Sequence, residues 1–168
     1  MRNQQRKACK GFTLRSRACE GFTLIELLVV VSLIGVLATL VLANFNAARQ
    51  RGRDAQRKSD LRNIQAALRL YYNDYGKYPT GAGGVIMGCG ATADTACDWG
   101  TSTFAAGTQT YMSTLPDDPL PDITYQYTRV DLDNYILSSC LENKSDDKGV
   151  ADPSAAWCPT KVVYSVKP

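Results

Sequence analysis

The run from Phe22 to Leu42 constrains this chain more than any other stretch, because its 21 residues carry a single charge, on Glu26. A helix rises about 1.5 Å per residue, so a helix of this length spans roughly 31 Å, close to the hydrocarbon thickness of a bilayer. A carboxylate inside such a segment costs on the order of 2.5–3.5 kcal/mol on insertion scales. The run therefore predicts a transmembrane helix in which Glu26 has a specific role.

The residues before this run are strongly basic. Residues 1–21 contain six lysine or arginine side chains and one glutamate. Positive charges remain on the cytoplasmic side, so the C-terminal part of the chain is expected to cross the membrane. A basic segment that precedes an apolar run is read as a targeting segment and is left out of the fold.

The motif Gly-Phe-Thr-Leu-Ile-Glu at Gly21–Glu26, followed by five aliphatic residues, resembles the start of type IV pilins and type II secretion pseudopilins. The resemblance extends to about Pro79. It implies that a prepilin peptidase cuts after Gly21 and methylates the new amine of Phe22. It also implies that the mature subunit assembles, through an inner-membrane platform, with other copies or related subunits into a helical filament. Glu26 is then expected to offset the charged Phe22 amine of a neighbouring copy or of its own chain.

The implied location is the cytoplasmic membrane, with a single span and the C-terminus outside, followed by a filament at the cell surface or in the periplasm. The leading hypothesis is a structural subunit of a type IV pilus-like filament. A type II secretion pseudopilin is the alternative within the family. A membrane-anchored extracellular binding domain with a single span is the alternative from another class.

One helix is expected from Phe22 to about Tyr75, where Gly76 and Pro79 end it. Its second half is amphipathic, which indicates packing on a sheet. The apolar stripe consists of Leu61, Ile64, Leu68, Tyr71 and Tyr75.

The opposite face of this second half is basic, and it is expected to be solvated or to contact lipid headgroups or acidic neighbours. Asp54 and Lys58 are four residues apart, a spacing that favours an ion pair within the helix. Binding of nucleic acid is not favoured, because the basic run lacks the interleaved aromatic residues that stack on bases. The basic face comprises Arg53, Arg57, Lys58 and Arg62.

The predicted fold class is α+β, with a long N-terminal helix packed by its second half on a small antiparallel sheet, as in pilins. Strands are expected at 123–129, 135–141 and 161–166 from their alternating or apolar patterns. Residues 80–112 show little periodicity and are predicted to form a variable connection. The predicted segments are the leader 1–21, the transmembrane half 22–42, the amphipathic half 43–75 and the head 76–168.

Four cysteines lie in the part of the chain that is expected to be exported: Cys89, Cys97, Cys140 and Cys158. An oxidising compartment allows them to form disulfides, and four cysteines permit three pairings. The pairs Cys89–Cys97 and Cys140–Cys158 are favoured because each closes a short local loop.

The sequence does not favour catalysis. It has no histidine, no nucleophile motif and no glycine-rich phosphate loop, so no enzyme activity and no cofactor are expected. Acidic residues of the head could hold calcium, which prefers oxygen ligands. Their spacing matches no standard loop, so solvated acidic turns are favoured and no metal site is predicted. These residues are Asp117, Asp118, Asp122, Asp146, Asp147 and Asp152.

Overall fold

The computed structural model describes residues 22–168, with the side chains of all of these except residues 40–44. The predicted leader, residues 1–21 with Gly21 at its end, lies outside the described residues. The described chain is α+β, as predicted, with one helix followed by short antiparallel strands. The elements are α1 (Leu24–Tyr75), β1 (Thr80–Ala82), β2 (Val85–Cys89), β3 (Thr95–Cys97), β4 (Phe104–Ala106), β5 (Gln109–Met112), β6 (Gln126–Arg129), β7 (Tyr135–Cys140), β8 (Val150–Ala151) and β9 (Val162–Val166).

The chain divides into two compact units, with the boundary between Val41 and Leu42. In the first unit, residues 22–39 have exposed side chains and are helical from Leu24 onward. Among the described residues, no helix is both long enough and apolar enough to cross a membrane. The predicted transmembrane half of the helix is therefore not confirmed.

Helix α1 ends where the sequence predicts. Gly76 adopts a left-handed backbone conformation, with φ of 63°, and its N–H donates a 2.8 Å hydrogen bond to the carbonyl oxygen of Tyr72. A glycine reaches this conformation without the steric cost of a Cβ atom, so it terminates a helix readily.

The apolar stripe of α1 forms one side of the core of the second unit. Leu61, Ile64 and Leu68 are completely buried, and they belong to one cluster with aromatic and aliphatic side chains of β6, β7 and β9. Burial of each such side chain contributes about 1.5–3 kcal/mol. The prediction is wrong for Tyr75, which is 40% exposed and stacks on the Tyr71 ring with centroids 4.4 Å apart.

The main sheet has four antiparallel strands in the order β6-β7-β9-β8. The sequence predicts that the first strand begins at Ile123, but the strand begins at Gln126. The N–H of Ile123 donates to the carbonyl oxygen of Leu120, which places this residue in a turn. Tyr125, which directly precedes the strand, is fully buried. Its ring packs edge-to-face against the Trp99 ring, with the ring centroids 5.8 Å apart.

The segment between the helix and this sheet contains strands that were not predicted. It contains a three-stranded sheet, β1-β2-β3, and the hairpin β4-β5. These strands have only three to five residues each, too few to show a clear alternation of polar and apolar side chains. The predicted connection over residues 80–112 thus contains short strands that the sequence pattern did not indicate.

Candidate functional site

The start of α1 is closed by a reciprocal pair of side chains. The N–H of Thr23 donates to Oε2 of Glu26 at 3.0 Å, and the Thr23 hydroxyl donates to the same oxygen at 2.6 Å. In return, the N–H of Glu26 donates to Oγ1 of Thr23 at 3.3 Å. This is a capping box, which satisfies backbone N–H groups that the first turn of a helix leaves unpaired.

This capping role of Glu26 was not predicted from the sequence. A threonine followed three residues later by glutamate, directly before an apolar run, is itself the signature of a capping box. Glu26 therefore stabilises the start of its own helix, and only one of its two carboxylate oxygens takes part in the cap. Its predicted role in assembly is untested by these contacts.

The first turns of α1 present an extensive apolar surface. The large apolar side chains between Phe22 and Leu37 are exposed, from 45% for Val30 to 87% for Leu24. Monomeric soluble proteins rarely expose contiguous apolar patches larger than a few hundred Å², and larger patches mark interaction sites. Gly35 lies on this part of the helix with open space around it.

This segment also matches a known family of motifs. Residues 16–42 match the family model described as the prokaryotic N-terminal methylation motif. The predicted resemblance is confirmed. The match includes Gly21, which lies outside the described residues, and Phe22, whose side chain is exposed.

The chain is also similar to curated proteins of one name. The chain is similar to the type II secretion system core protein G of Klebsiella pneumoniae, with 38% identity over 58 residues, which are 34% of this chain and 41% of the relative. It is 31% identical over 67 residues to the protein of the same name from Aeromonas hydrophila, covering 40% of this chain and 47% of the relative. The chain thus spans less than half the length of these relatives. No solved structure matches.

A buried ionic cluster lies in the second unit. Its centre is Arg57, whose side chain is fully buried. The guanidinium donates through Nε and Nη2 to the two oxygens of Asp118, both at 2.7 Å. Nη1 donates at 2.8 Å to Oδ1 of Asp54 and to Oε1 of Glu142. Arg57 therefore connects the helix to two separate loops of the head.

The other members of the cluster have further partners. Asp54 accepts the backbone N–H groups of Glu142 and Asn143 at 2.9 and 2.8 Å. Glu142 is also paired with Arg53, at 2.7 and 2.6 Å. Each buried charge is thus both paired and hydrogen-bonded, which is what burial of charged groups requires.

The cluster shifts the ionisation of its members. Burial by itself lowers the pKa of Arg57, but the hydrogen bonds to Asp118, Glu142 and Asp54 outweigh it, and the pKa lies above its usual range. The hydrogen bond from Arg53 is the main reason that the pKa of Glu142 lies below its usual value. Both groups therefore stay charged at neutral pH.

These contacts correct the expectation of a solvated basic face. Arg57 is buried, and Arg53 is only partly exposed. Asp54 pairs with Arg57 and not with Lys58. Lys58 instead binds both oxygens of Asp146 at 2.6 and 2.5 Å, and this pairing lowers the pKa of that carboxyl. The pattern of charges along one helix could not reveal partners that lie about 60–90 residues away in sequence.

Two of the acidic residues that were considered as calcium ligands form ion pairs with basic side chains of the helix. Asp118 binds Arg57, and Asp146 binds Lys58. Asp118 is buried, so it does not belong to a solvated acidic turn. Across residues 22–168, no group of three or more acidic or cysteine side chains is arranged to hold a metal ion.

Two disulfides are formed, and they are the pairs that the sequence favours. Cys89–Cys97 joins β2 to β3, with the two Cα atoms 5.5 Å apart. Cys140–Cys158 joins the end of β7 to the segment before β9, with the Cα atoms 5.2 Å apart. Both lie in the second unit, and the loop closed by Cys140–Cys158 includes Glu142, which the ionic cluster binds to the helix.

Proposed function

We propose that this protein is a structural subunit of a pilin-like filament, processed after Gly21 and assembled through its N-terminal helix. The observation that carries the proposal is the apolar helical surface of residues 22–39, which is exposed and bears a single carboxylate. The match of residues 16–42 to a methylation motif supports processing of this same segment. The role is structural, and it needs no catalytic residue and no cofactor.

Before assembly, residues 22–42 would hold the subunit in the cytoplasmic membrane with its C-terminus outside. The basic leader and the single charge in the apolar run support this placement. A prepilin peptidase would then remove the leader and methylate Phe22. An inner-membrane platform would add the subunit to the filament.

The names of the relatives favour one version of this role. They are type II secretion core proteins, so a pseudopilin of a type II secretion system is our second, more specific candidate. The two versions differ in where the filament lies and in what deletion does. Loss of a pseudopilin is expected to stop secretion of folded proteins, whereas loss of a pilus subunit removes surface filaments.

In the filament, we propose that the charge of Glu26 offsets the Phe22 amine. The capping box provides a matched variant that separates this role from helix capping. Glu26→Gln retains an oxygen that can accept the bonds from Thr23 but removes the charge. Glu26→Ala removes both the charge and the cap.

The test is to express wild-type protein and both variants, and to measure cleavage by mass spectrometry and assembly in sheared filament fractions. We expect Glu26→Gln and Glu26→Ala to be cleaved after Gly21 and methylated at Phe22, but to be largely absent from filaments. Normal filaments from Glu26→Gln would refute the charge pairing. A wild-type protein that retains residues 1–21 in its final form would support a simple membrane anchor and contradict the whole proposal.

A further inference from the structure

The four-stranded sheet has a second face, directed away from α1, that forms an open groove of about 600 Å³. One row of its floor consists of Gln126, Ser138 and Ser165, which are register neighbours on β6, β7 and β9. The hydroxyl oxygens of Ser138 and Ser165 are 2.8 Å apart. Because adjacent strands are about 4.8 Å apart, the three polar side chains have a regular spacing; Ser165 is exposed, Gln126 is partly exposed and Ser138 is buried beneath them.

Next to this row the floor is apolar. Val163 on β9 is in register with Val150 on β8, and both line the groove. Trp157 also lines the groove. It is half-buried and packs against the apolar cluster that contains Cys140 and Cys158. The disulfide between these cysteines therefore restrains the segment that carries the indole ring. The groove offers an aromatic and aliphatic surface beside a row of hydroxyl and amide groups.

The charge of the groove differs from that of the head around it. Residues 76–168 contain eleven acidic and six basic side chains. The groove is nevertheless lined by two exposed lysines, Lys148 and Lys167, against the single acidic residue Asp152. Oδ1 of Asp152 already accepts hydrogen bonds from the N–H and the hydroxyl of Ser154. The charged residues of the lining therefore sum to +1, which favours an anionic ligand over a cationic one.

We propose that the groove binds a short carboxylated oligosaccharide. A sugar ring has an apolar face of C–H groups, which suits Trp157 and the valines, and a rim of hydroxyls, which suits the row that contains Ser138 and Ser165. Carboxylates on the sugar would pair with Lys148 and Lys167. The volume lies within the roughly 300–1,000 Å³ that is usual for ligand sites.

The position of the groove argues against an extended peptide. Peptides that add to a sheet bind through backbone hydrogen bonds along an edge strand. This groove lies on the face of the sheet, where β7 and β9 have already used their backbone groups in pairing with neighbouring strands. It offers side chains, and a polyol can donate to and accept from their hydroxyl and amide groups. This binding activity goes beyond the role in a filament and does not depend on it.

The test uses the full chain in detergent micelles, with trigalacturonic acid as the probe and isothermal titration calorimetry at low ionic strength. We expect saturable binding of one probe molecule per chain. The double variant Lys148→Gln/Lys167→Gln should bind at least about tenfold more weakly, because both cations are lost. The control Lys77→Gln removes an exposed lysine outside the groove and should leave the affinity unchanged. Trp157→Leu should weaken binding while both lysines remain.

Several results would overturn this proposal. They are the absence of saturable binding, equal binding by the double lysine variant, or equally tight binding of neutral maltotriose. Displacement of the probe by oligoglutamate at the same concentration would assign the groove to an acidic peptide and would also refute it. Both lysines are exposed, so their replacement leaves the fold intact, and near-ultraviolet circular dichroism checks this. None of these results bears on whether the chain forms filaments.

Discussion

Replacing Arg57 with methionine is expected to destabilise the second unit severely. The side chain is fully buried and makes four hydrogen bonds to three carboxylates. Methionine retains the apolar stem but removes every one of these bonds. Asp118, whose side chain is also fully buried, then keeps only the backbone N–H of Leu120 as a partner of its Oδ1.

The expected loss in the free energy of unfolding depends on two opposing contributions, the hydrogen bonds of Arg57 and the cost of burying its charge. Hydrogen bonds to charged groups contribute about 1.5–3 kcal/mol each, but bringing the charges out of water costs several kcal/mol per ion, so the bonds cannot simply be added. Removal of one partner from a buried ion pair typically costs about 3–5 kcal/mol, because the remaining charge is left unpaired. Asp54 keeps its two backbone donors and Glu142 keeps Arg53, so we expect a loss of about 3–5 kcal/mol in the free energy of unfolding.

The measurement is urea unfolding of the full chain in detergent, followed by the fluorescence of Trp99 and Trp157, which both lie in the second unit. Arg62→Met is the matched control, because Arg62 is exposed on the same helix, and its effect should stay within about 0.5 kcal/mol. The double variant Arg57→Met/Asp118→Asn should lose less than the sum of the two single variants. A loss below about 1 kcal/mol for Arg57→Met would refute the assignment of a structural role to the cluster.

The same variant should change the response to acid. A carboxyl whose pKa is lowered by folding stabilises the folded state above its unfolded pKa, and this contribution is lost as the pH falls through the folded pKa. Glu142 has its pKa lowered from 4.5, first by Arg53 and then by Arg57 despite some burial. Wild-type protein should therefore lose stability below about pH 4.5, and Arg57→Met should lose less over the same range.

Two further predictions concern the head. The double variant Cys140→Ala/Cys158→Ala opens a disulfide with a sequence separation of 18 residues, so it should lower the free energy of unfolding in urea by about 3 kcal/mol. A similar loss when dithiothreitol is added to a Cys89→Ala/Cys97→Ala variant, in which Cys140–Cys158 is the disulfide left in the second unit, would agree, and a change below about 1 kcal/mol would contradict the prediction. Tyr125→Phe removes the hydroxyl that donates to Asp60 at 2.8 Å, and it should cost about 1–2 kcal/mol. Burial raises the pKa of Asp60 and the Tyr125 bond opposes this, so carboxyl NMR should find a still higher pKa in the variant. Tyr72→Phe, which removes an exposed bond to Asp133, is the control and should have little effect.

Local features of the sequence were sufficient to predict much of the chain. The α+β class, the end of α1 at Tyr75 and most of the apolar stripe follow from helical periodicity and from Gly76, because these signals depend on residues that are close in sequence. The methylation motif at residues 16–42 is likewise a local pattern. The capping box of Thr23 and Glu26 lies within the six-residue motif Gly21–Glu26, although this role was not predicted. Its contacts span a single turn, so the sequence alone was enough to find it.

Only the tertiary structure decided which charges are buried. On the helix, Arg57 and Arg62 look alike, but Arg57 is fully buried against Asp118 and Glu142, which come from loops far along the chain. Residues 80–112 form strands too short to show a periodicity of their own, and each is held by pairing with a strand that is its neighbour in sequence. The groove beside Trp157 also depends on the register of four strands. Contacts between residues far apart in sequence determine the ionic cluster and the groove, and no short stretch of the sequence contains both partners of such a contact.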